Sequence, residues 1–237
     1  MNWSRFFNQF SARRVDVYAD FIDPFSYIGF HNLWKAARTP NVKLVWKGFE
    51  FNPDTPHEGS FLIAQPNSDV KNGMWASVRD FGRRSGIEMA EPEFVYNTSR
   101  AQALAHALPV SAETNEFLLA IFAAYFEEGK DIYQASVLKS ALSRFPTLAP
   151  IAERYLSGQP DLNVLASNRR SAEERKFPGL PGFVHGGNNY FGALPASAWE
   201  SVFTANKGIR RRYVQSDATN ARDAEKGERA AEAARSD

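Results

Sequence analysis

The 237-residue chain contains no cysteine. That absence excludes disulfides, Cys-ligated metals and every thiol nucleophile. Histidine is scarce as well. His31, His57, His106 and His185 stand far apart, none at a ligand spacing such as H-x-x-x-H, so no resident metal is expected. There is no excess of one charge: 28 Lys and Arg against 27 Asp and Glu leave a net charge of +1, which makes no electrostatic case for nucleic acid. The one dense basic run, Arg210-Arg211-Arg212, reads as a solvated chain end or helix C-terminus. No apolar stretch reaches the ~18 residues of a bilayer span, so a membrane is not an expected partner. Residues 1–14 carry Phe6, Phe7 and Phe10 but no continuous apolar run and no small-residue cleavage site. They do not read as a signal peptide, and the expected compartment is the cytoplasm.

What is present is a composition that folds. Hydrophobic residues make up 43% and aromatic residues 14%, enough to bury a sizeable core. Val15–Ala19 reads as a first strand, Tyr27–Ala37 as a helix, and Val42–Glu50, which alternates with a period near two, as a second strand. Strand, helix and strand at this spacing imply a βαβ unit with parallel strands. Asn52-Pro53-Asp54-Thr55-Pro56 then breaks the chain.

From about Ser60 to Ser167 the pattern is helical. Trp75–Gly86, Thr98–Leu108, Ile132–Phe145 and Ala149–Leu156 are candidates, the second with an Asn97-Thr98 start suited to capping. The clearest is Glu113–Glu128, where Phe117, Leu118, Ile121, Phe122, Tyr125 and Phe126 recur at helical spacing. Strand signals return at Gly182–His185 and Asn189–Gly192, a hairpin across Gly186-Gly187-Asn188, followed by a helix over Ser197–Phe203. Beyond Tyr213 the chain is polar and almost without apolar bulk, which predicts a flexible tail over 214–237. The predicted organisation is an N-terminal extension over 1–14, a domain made of 15–59 and 168–213, and a helical insertion over 60–167.

The most informative stretch is Asp20-Phe21-Ile22-Asp23-Pro24-Phe25-Ser26-Tyr27-Ile28-Gly29. It joins strand one to helix one, where free backbone N–H groups and the helix dipole stabilise anions and thiolates. Further along stand Trp46-x-x-Phe49-Glu50-x-Asn52-Pro53-Asp54, Ala124–Ile132, Gly179-Leu180-Pro181-Gly182-Phe183-Val184 and Gly192-Ala193-Leu194-Pro195. In these five motifs, in this order, the chain resembles the DsbA-like thioredoxin superfamily, and within it the FrnE-like branch. The resemblance covers Val15 to about Phe203. It implies an α/β thioredoxin fold with a large helical insertion, and a cis bond at Leu180–Pro181 beside the active-site turn, with the Leu180 backbone pairing extended ligands.

Two departures stand against the family's chemistry. FrnE-like oxidoreductases carry cysteine at the positions of Asp23 and Ser26, so disulfide exchange does not transfer. Cysteine-free relatives, the kappa-class glutathione transferases and the 2-hydroxychromene-2-carboxylate isomerases, have Ser-Pro-x-Ser at this turn and a Ser-Asp pair that aligns with Ala193-Leu194. Both handles for glutathione are altered here. The resemblance leaves glutathione disfavoured, and no cofactor is expected.

Each candidate residue admits two readings. Asp23 before Pro24 is a good N-cap followed by a good first helical residue; it is also placed to act as a general base or as an anchor for a cationic or hydroxylated ligand. Ser26 either bonds Asp23 and the local backbone or donates at the site mouth. Pro24, Phe25, Asn52, Leu180, Pro181 and His185 are the expected substrate-binding positions, with Asn52 equally suited to shaping a turn and His185 to packing. Trp75, Phe81 and Tyr96 either wall a pocket above Asp23 or belong to the core. The expected function is a non-redox isomerase or transferase of a small aromatic or polyketide-like molecule. The alternative is a catalytically silent protein that binds a ligand or peptide and belongs to the DsbA family by fold alone. A homodimer is left open.

Overall fold

In a computed structural model, residues 14–38, 42–61, 68–158 and 161–205 are described. The Arg210–Arg212 run, the tail over 214–237 and residues 1–13 of the expected extension lie outside the described residues. Strand β1 (Arg14–Tyr18) leads through a turn into helix α1 (Pro24–Ala37) and back to β2 (Lys43–Trp46). β1 and β2 pair in parallel, Val15 beside Leu44 and Val17 beside Trp46, as a βαβ unit requires. The hairpin β5 (Gly182–His185) and β6 (Asn188–Phe191) joins antiparallel to β1, giving the order β2-β1-β5-β6, and α8 (Ala196–Thr204) follows. Gly186 and Gly187 make the hairpin turn with φ of 56° and 81°, values that favour glycine. This is the thioredoxin arrangement.

Between β2 and β5 lie two short strands, β3 (Ser60–Phe61) and β4 (Phe94–Val95), paired with each other. Among the described residues, six helices share the same interval: α2 (Ser68–Ser85), α3 (Ser99–Ala107), α4 (Ala112–Phe126), α5 (Ala135–Leu142), α6 (Ala149–Leu156) and α7 (Leu162–Arg175). The apolar stripe of α4 does what its spacing predicts: Phe117, Leu118, Ile121, Phe122, Tyr125 and Phe126 are all buried. Phe122 reaches the sheet. It meets Phe21 at 4.9 Å and lies parallel to Tyr27 of α1 at 5.0 Å, while Phe21 stacks on Trp46 of β2 at 4.9 Å. The insertion therefore shares one apolar core with the sheet. Trp75 belongs to that core, 6.5 Å from Phe126, and Phe81 and Tyr96 pack against it half-buried.

Helix α7 was not legible in the sequence. Its face against the protein holds only Leu165, Asn168 and Ala172 as buried residues, too few for a periodic signal. It packs through Ala172 against Tyr18 and Val184 on the sheet, and Ser171 Oγ lies 2.8 Å from the Tyr18 hydroxyl. The expected domain boundary at 167/168 falls inside this helix. The start of α3 also differs in detail: Thr98 makes no capping bond, and Asn97 Oδ1 instead accepts from Ser99 N at 2.9 Å and Ser99 Oγ at 2.6 Å.

Candidate functional site

Helix α1 begins at Pro24 because Asp23, in extended conformation (φ −94°, ψ 116°), turns its side chain back over the first turn. Asp23 Oδ2 accepts from Ser26 N at 2.9 Å and from Ser26 Oγ at 2.6 Å. Ser26 Oγ in turn accepts from Asp20 N at 3.3 Å. The Ser26 hydroxyl is thus used on both sides, and the residue is fully buried. It fixes Asp23 and does not stand at a mouth. Asp23, Pro24 and Phe25 are half-buried and form the surface of the turn.

The Leu180–Pro181 peptide is cis. Leu180 and Pro181 are buried, and the Pro181 ring lies against α1 at Gly29, where a Cβ would stand 2.9 Å from Pro181 Cγ and 3.2 Å from Ala193 Cα. Glycine is what permits this approach. The structure does not bring His185 to the turn. His185 pairs with Val15 at the start of β1, whereas Gly182 pairs with Tyr18 at its end. Three residues of strand, about 10 Å, separate these positions, and the turn follows the Tyr18 end. His185 Nδ1 lies 2.8 Å from Arg14 O, and its ring packs edge-on against Phe203. Asn52 is exposed; its carbonyl accepts from Thr55 N at 3.2 Å and Thr55 Oγ1 at 2.9 Å and so closes the turn after β2.

The residue that sequence reasoning passed over is Asp20. After β2 the chain stays beside β1, with Lys47 N on Val17 O and Phe49 N on Ala19 O, and this carries Phe51 to Asp20. Asp20 is fully buried. Its Oδ2 accepts from Phe51 N at 2.7 Å and its Oδ1 from Gln102 Nε2 of α3 at 3.0 Å, with Thr98 a further partner. Gln102 also donates to Ala19 O at 3.2 Å and accepts from Trp46 Nε1 at 2.8 Å. Burial outweighs these donors and pushes the Asp20 carboxyl up to about 6. Burial and the Asp20 charge also raise Glu50, while Arg169 opposes that rise. The only signal in the sequence was the place of Asp20 in the first motif.

On the other flank of α1, Tyr27 donates to Glu127 Oε1 at 2.5 Å, and burial followed by that bond holds the phenol far above its usual range. His31, one turn on, is lowered chiefly by burial. No group of three or more His, Cys, Asp or Glu among the described residues is arranged to hold a metal, and none of their helices is long and apolar enough to cross a membrane.

Fold and turn together define a thioredoxin-fold protein with a carboxylate and a hydroxyl at the start of its first helix. The chain belongs to the DsbA-like thioredoxin family, whose domain profile matches residues 14–203. Among curated proteins it is 22% identical to the uncharacterised YwbO of Bacillus subtilis over 193 residues, 80% of this chain and 92% of that one. Among solved structures it is similar to a probable DsbA oxidoreductase of Streptomyces coelicolor, with a TM-score of 0.69 and 16% identity over 84% of this chain and 93% of the other. It is also similar to a 2-hydroxychromene-2-carboxylate isomerase, with a TM-score of 0.60 and 22% identity over 76% of this chain and 89% of the other. At these identities the solved structures speak for the fold.

Proposed function

We propose that this protein is a non-redox enzyme, an isomerase or transferase of a small aromatic or polyketide-like molecule, working at the start of α1. The observation that carries the reading is Asp23: a half-buried carboxylate, clamped by Ser26 N and Oγ, at the helix start of a DsbA-like fold. A carboxylate held there is suited to take a proton from an acidic C–H or O–H, or to orient a hydroxylated ligand. Phe25 at the turn and the exposed Phe51 on the loop anchored at Asp20 offer apolar surface to such a ligand. The isomerase among the similar folds acts on a molecule of this class, which supports the choice. Ser26 enters this reading as a positioning residue. We place the reaction in the cytoplasm.

The test is turnover of 2-hydroxychromene-2-carboxylate and related hydroxylated aromatic acids, followed by absorbance, for the natural protein and for Asp23→Asn. Asn caps a helix as well as Asp, so the fold is kept while the charge is lost. The expected result is turnover that falls on the order of 10²-fold in the variant. Equal rates in the two proteins would remove Asp23 from the chemistry.

One observation favours a second reading, ligand binding without conversion: the hydroxyl bonded to Asp23 belongs to Ser26, which is buried and engaged at both ends. Saturable binding with no product would select it. Glutathione is expected to bind weakly under either reading, because a thiolate ~4 Å from the Asp23 carboxylate meets a repulsion of about 1–4 kcal/mol. Calorimetry should show Asp23→Ser binding glutathione better than the natural chain does. Micromolar affinity in the natural chain, lost in Asp23→Ala, would reverse this view.

A further inference from the structure

A recess of about 300 Å³ lies at the opposite end of α1, between Trp34 and Ala37 of that helix, Arg38 just beyond it, β2, and the first turn of α4. Helix α1 has 14 residues, so at 1.5 Å per residue the recess stands about 20 Å from Asp23. It is independent of the function proposed above.

Its walls carry polar groups that the protein leaves unused. Asn115, in the first turns of α4, is 4% exposed and lines the recess. No hydrogen bond among the described residues engages its side-chain amide, whose atoms are not sealed from solvent, so it opens onto the recess. Trp34 is 7% exposed and lines the same space with its ring, while its indole N–H is sealed from solvent and has no partner among the described residues. The start of α4 adds backbone donors. The Ser111 side chain caps Thr114 N, whereas the first N–H groups of a helix have no partner within the helix.

The charge balance has a sign. Arg38 is neutralised by Glu116 at 2.8 Å and lies over the Trp34 ring at 5.1 Å. Lys43, exposed at the rim, forms no ion pair among the described residues. Among the described residues that line the recess, Lys43 is therefore the cation without an ion pair; it stands beside the first turn of α4, whose Glu113 is bonded by Thr147, and faces an indole and the aliphatic side chains of Val42 and Leu44.

We propose that this recess is a binding site for a small planar organic carboxylate. The carboxylate lies toward Asn115, Lys43 and the first N–H groups of α4, and the apolar body lies on Trp34. Benzoate is the probe, and benzamide, with the same ring and no charge, is its control. In NMR titrations of the full chain, benzoate gives saturable shifts at the backbone amides of Ala112 and Glu113 and at the Trp34 indole N–H. Benzamide binds at least ~10-fold more weakly, the factor a charge-assisted contact is worth. Asn115→Asp, equal in size and opposite in effect on an anion, weakens benzoate, as does Lys43→Gln. Lys43 is exposed, so that variant carries the test alone if Asn115→Asp does not fold. The proposal is overturned by an absence of saturable shifts, by shifts that gather at Asp23–Phe25, by equal binding of benzamide, or by unchanged affinity in Lys43→Gln.

Discussion

Replacing Asp20 by Asn should change how the stability of this protein depends on pH, with a predictable sign. In the folded chain the Asp20 carboxyl sits at about 6, against 3.8 in an open peptide. Between those values the folded state holds a proton that the unfolded chain has released. Stability from this group is therefore fully present below pH ~4 and is lost as pH rises through about 6. At about 1.4 kcal/mol per pH unit, a rise from 3.8 to about 6 amounts to about 3 kcal/mol. Glu50, raised first by burial and then by the Asp20 charge, adds to the effect in the same direction.

The asparagine of the Asp20→Asn variant does not titrate. Its amide N–H₂ must face either Phe51 N–H or Gln102 Nε2, both of which donate to the carboxylate in the natural chain. A buried donor set against a donor costs ~1–3 kcal/mol at every pH. The variant should thus be the less stable protein near pH 4 and should gain about 3 kcal/mol on the natural chain by pH 7, which closes or reverses the gap. Urea unfolding from pH 4 to 8 at constant ionic strength measures this. Trp46, bonded to Gln102 at 2.8 Å, serves as a fluorescence reporter beside the site. Parallel stability curves, or a variant that loses ground as pH rises, would refute the reasoning.

Gly29→Ala should lower stability by about 1–2 kcal/mol in thermal unfolding: the gain in helix propensity is smaller than the cost of overpacking with Pro181 Cγ 2.9 Å from the new Cβ. Asp23→Ala should cost ~1 kcal/mol through the lost cap and Asp23→Asn only a few tenths; equal losses would mean that Ser26 does not need the cap. In insulin reduction or disulfide isomerisation the pure protein should show the buffer rate alone, because the chain has no thiolate to form a mixed disulfide.

Much of the fold was written locally. Strand β1, helix α1 and the βαβ unit followed from periodicity and from Asp23-Pro24, a cap and first residue that act within one turn of chain. The hairpin followed from Gly186-Gly187, whose positive φ angles need no partner elsewhere. Helix α6 was expected over Ala149–Leu156 and is found there. By contrast, α7 buries too few residues to show a period, and β3 and β4 are two residues each, held in place by each other.

The site divides along the same line. Sequence alone determined that no thiol chemistry is available and that a carboxylate caps the first helix, since composition and nearest-neighbour capping depend on nothing distant. Only the tertiary structure decided what the neighbouring residues do. The partners of Asp20 stand 31 and 82 residues away, and it is their enclosure of one carboxylate that raises its pKa. The Ser26 hydroxyl is turned inward because Asp20 N closes over it. His185 stands away from the turn because antiparallel register with β1 pairs it with Val15, at the opposite end of that strand. Burial and register are set by segments remote in the chain, and no local pattern of residues contains them.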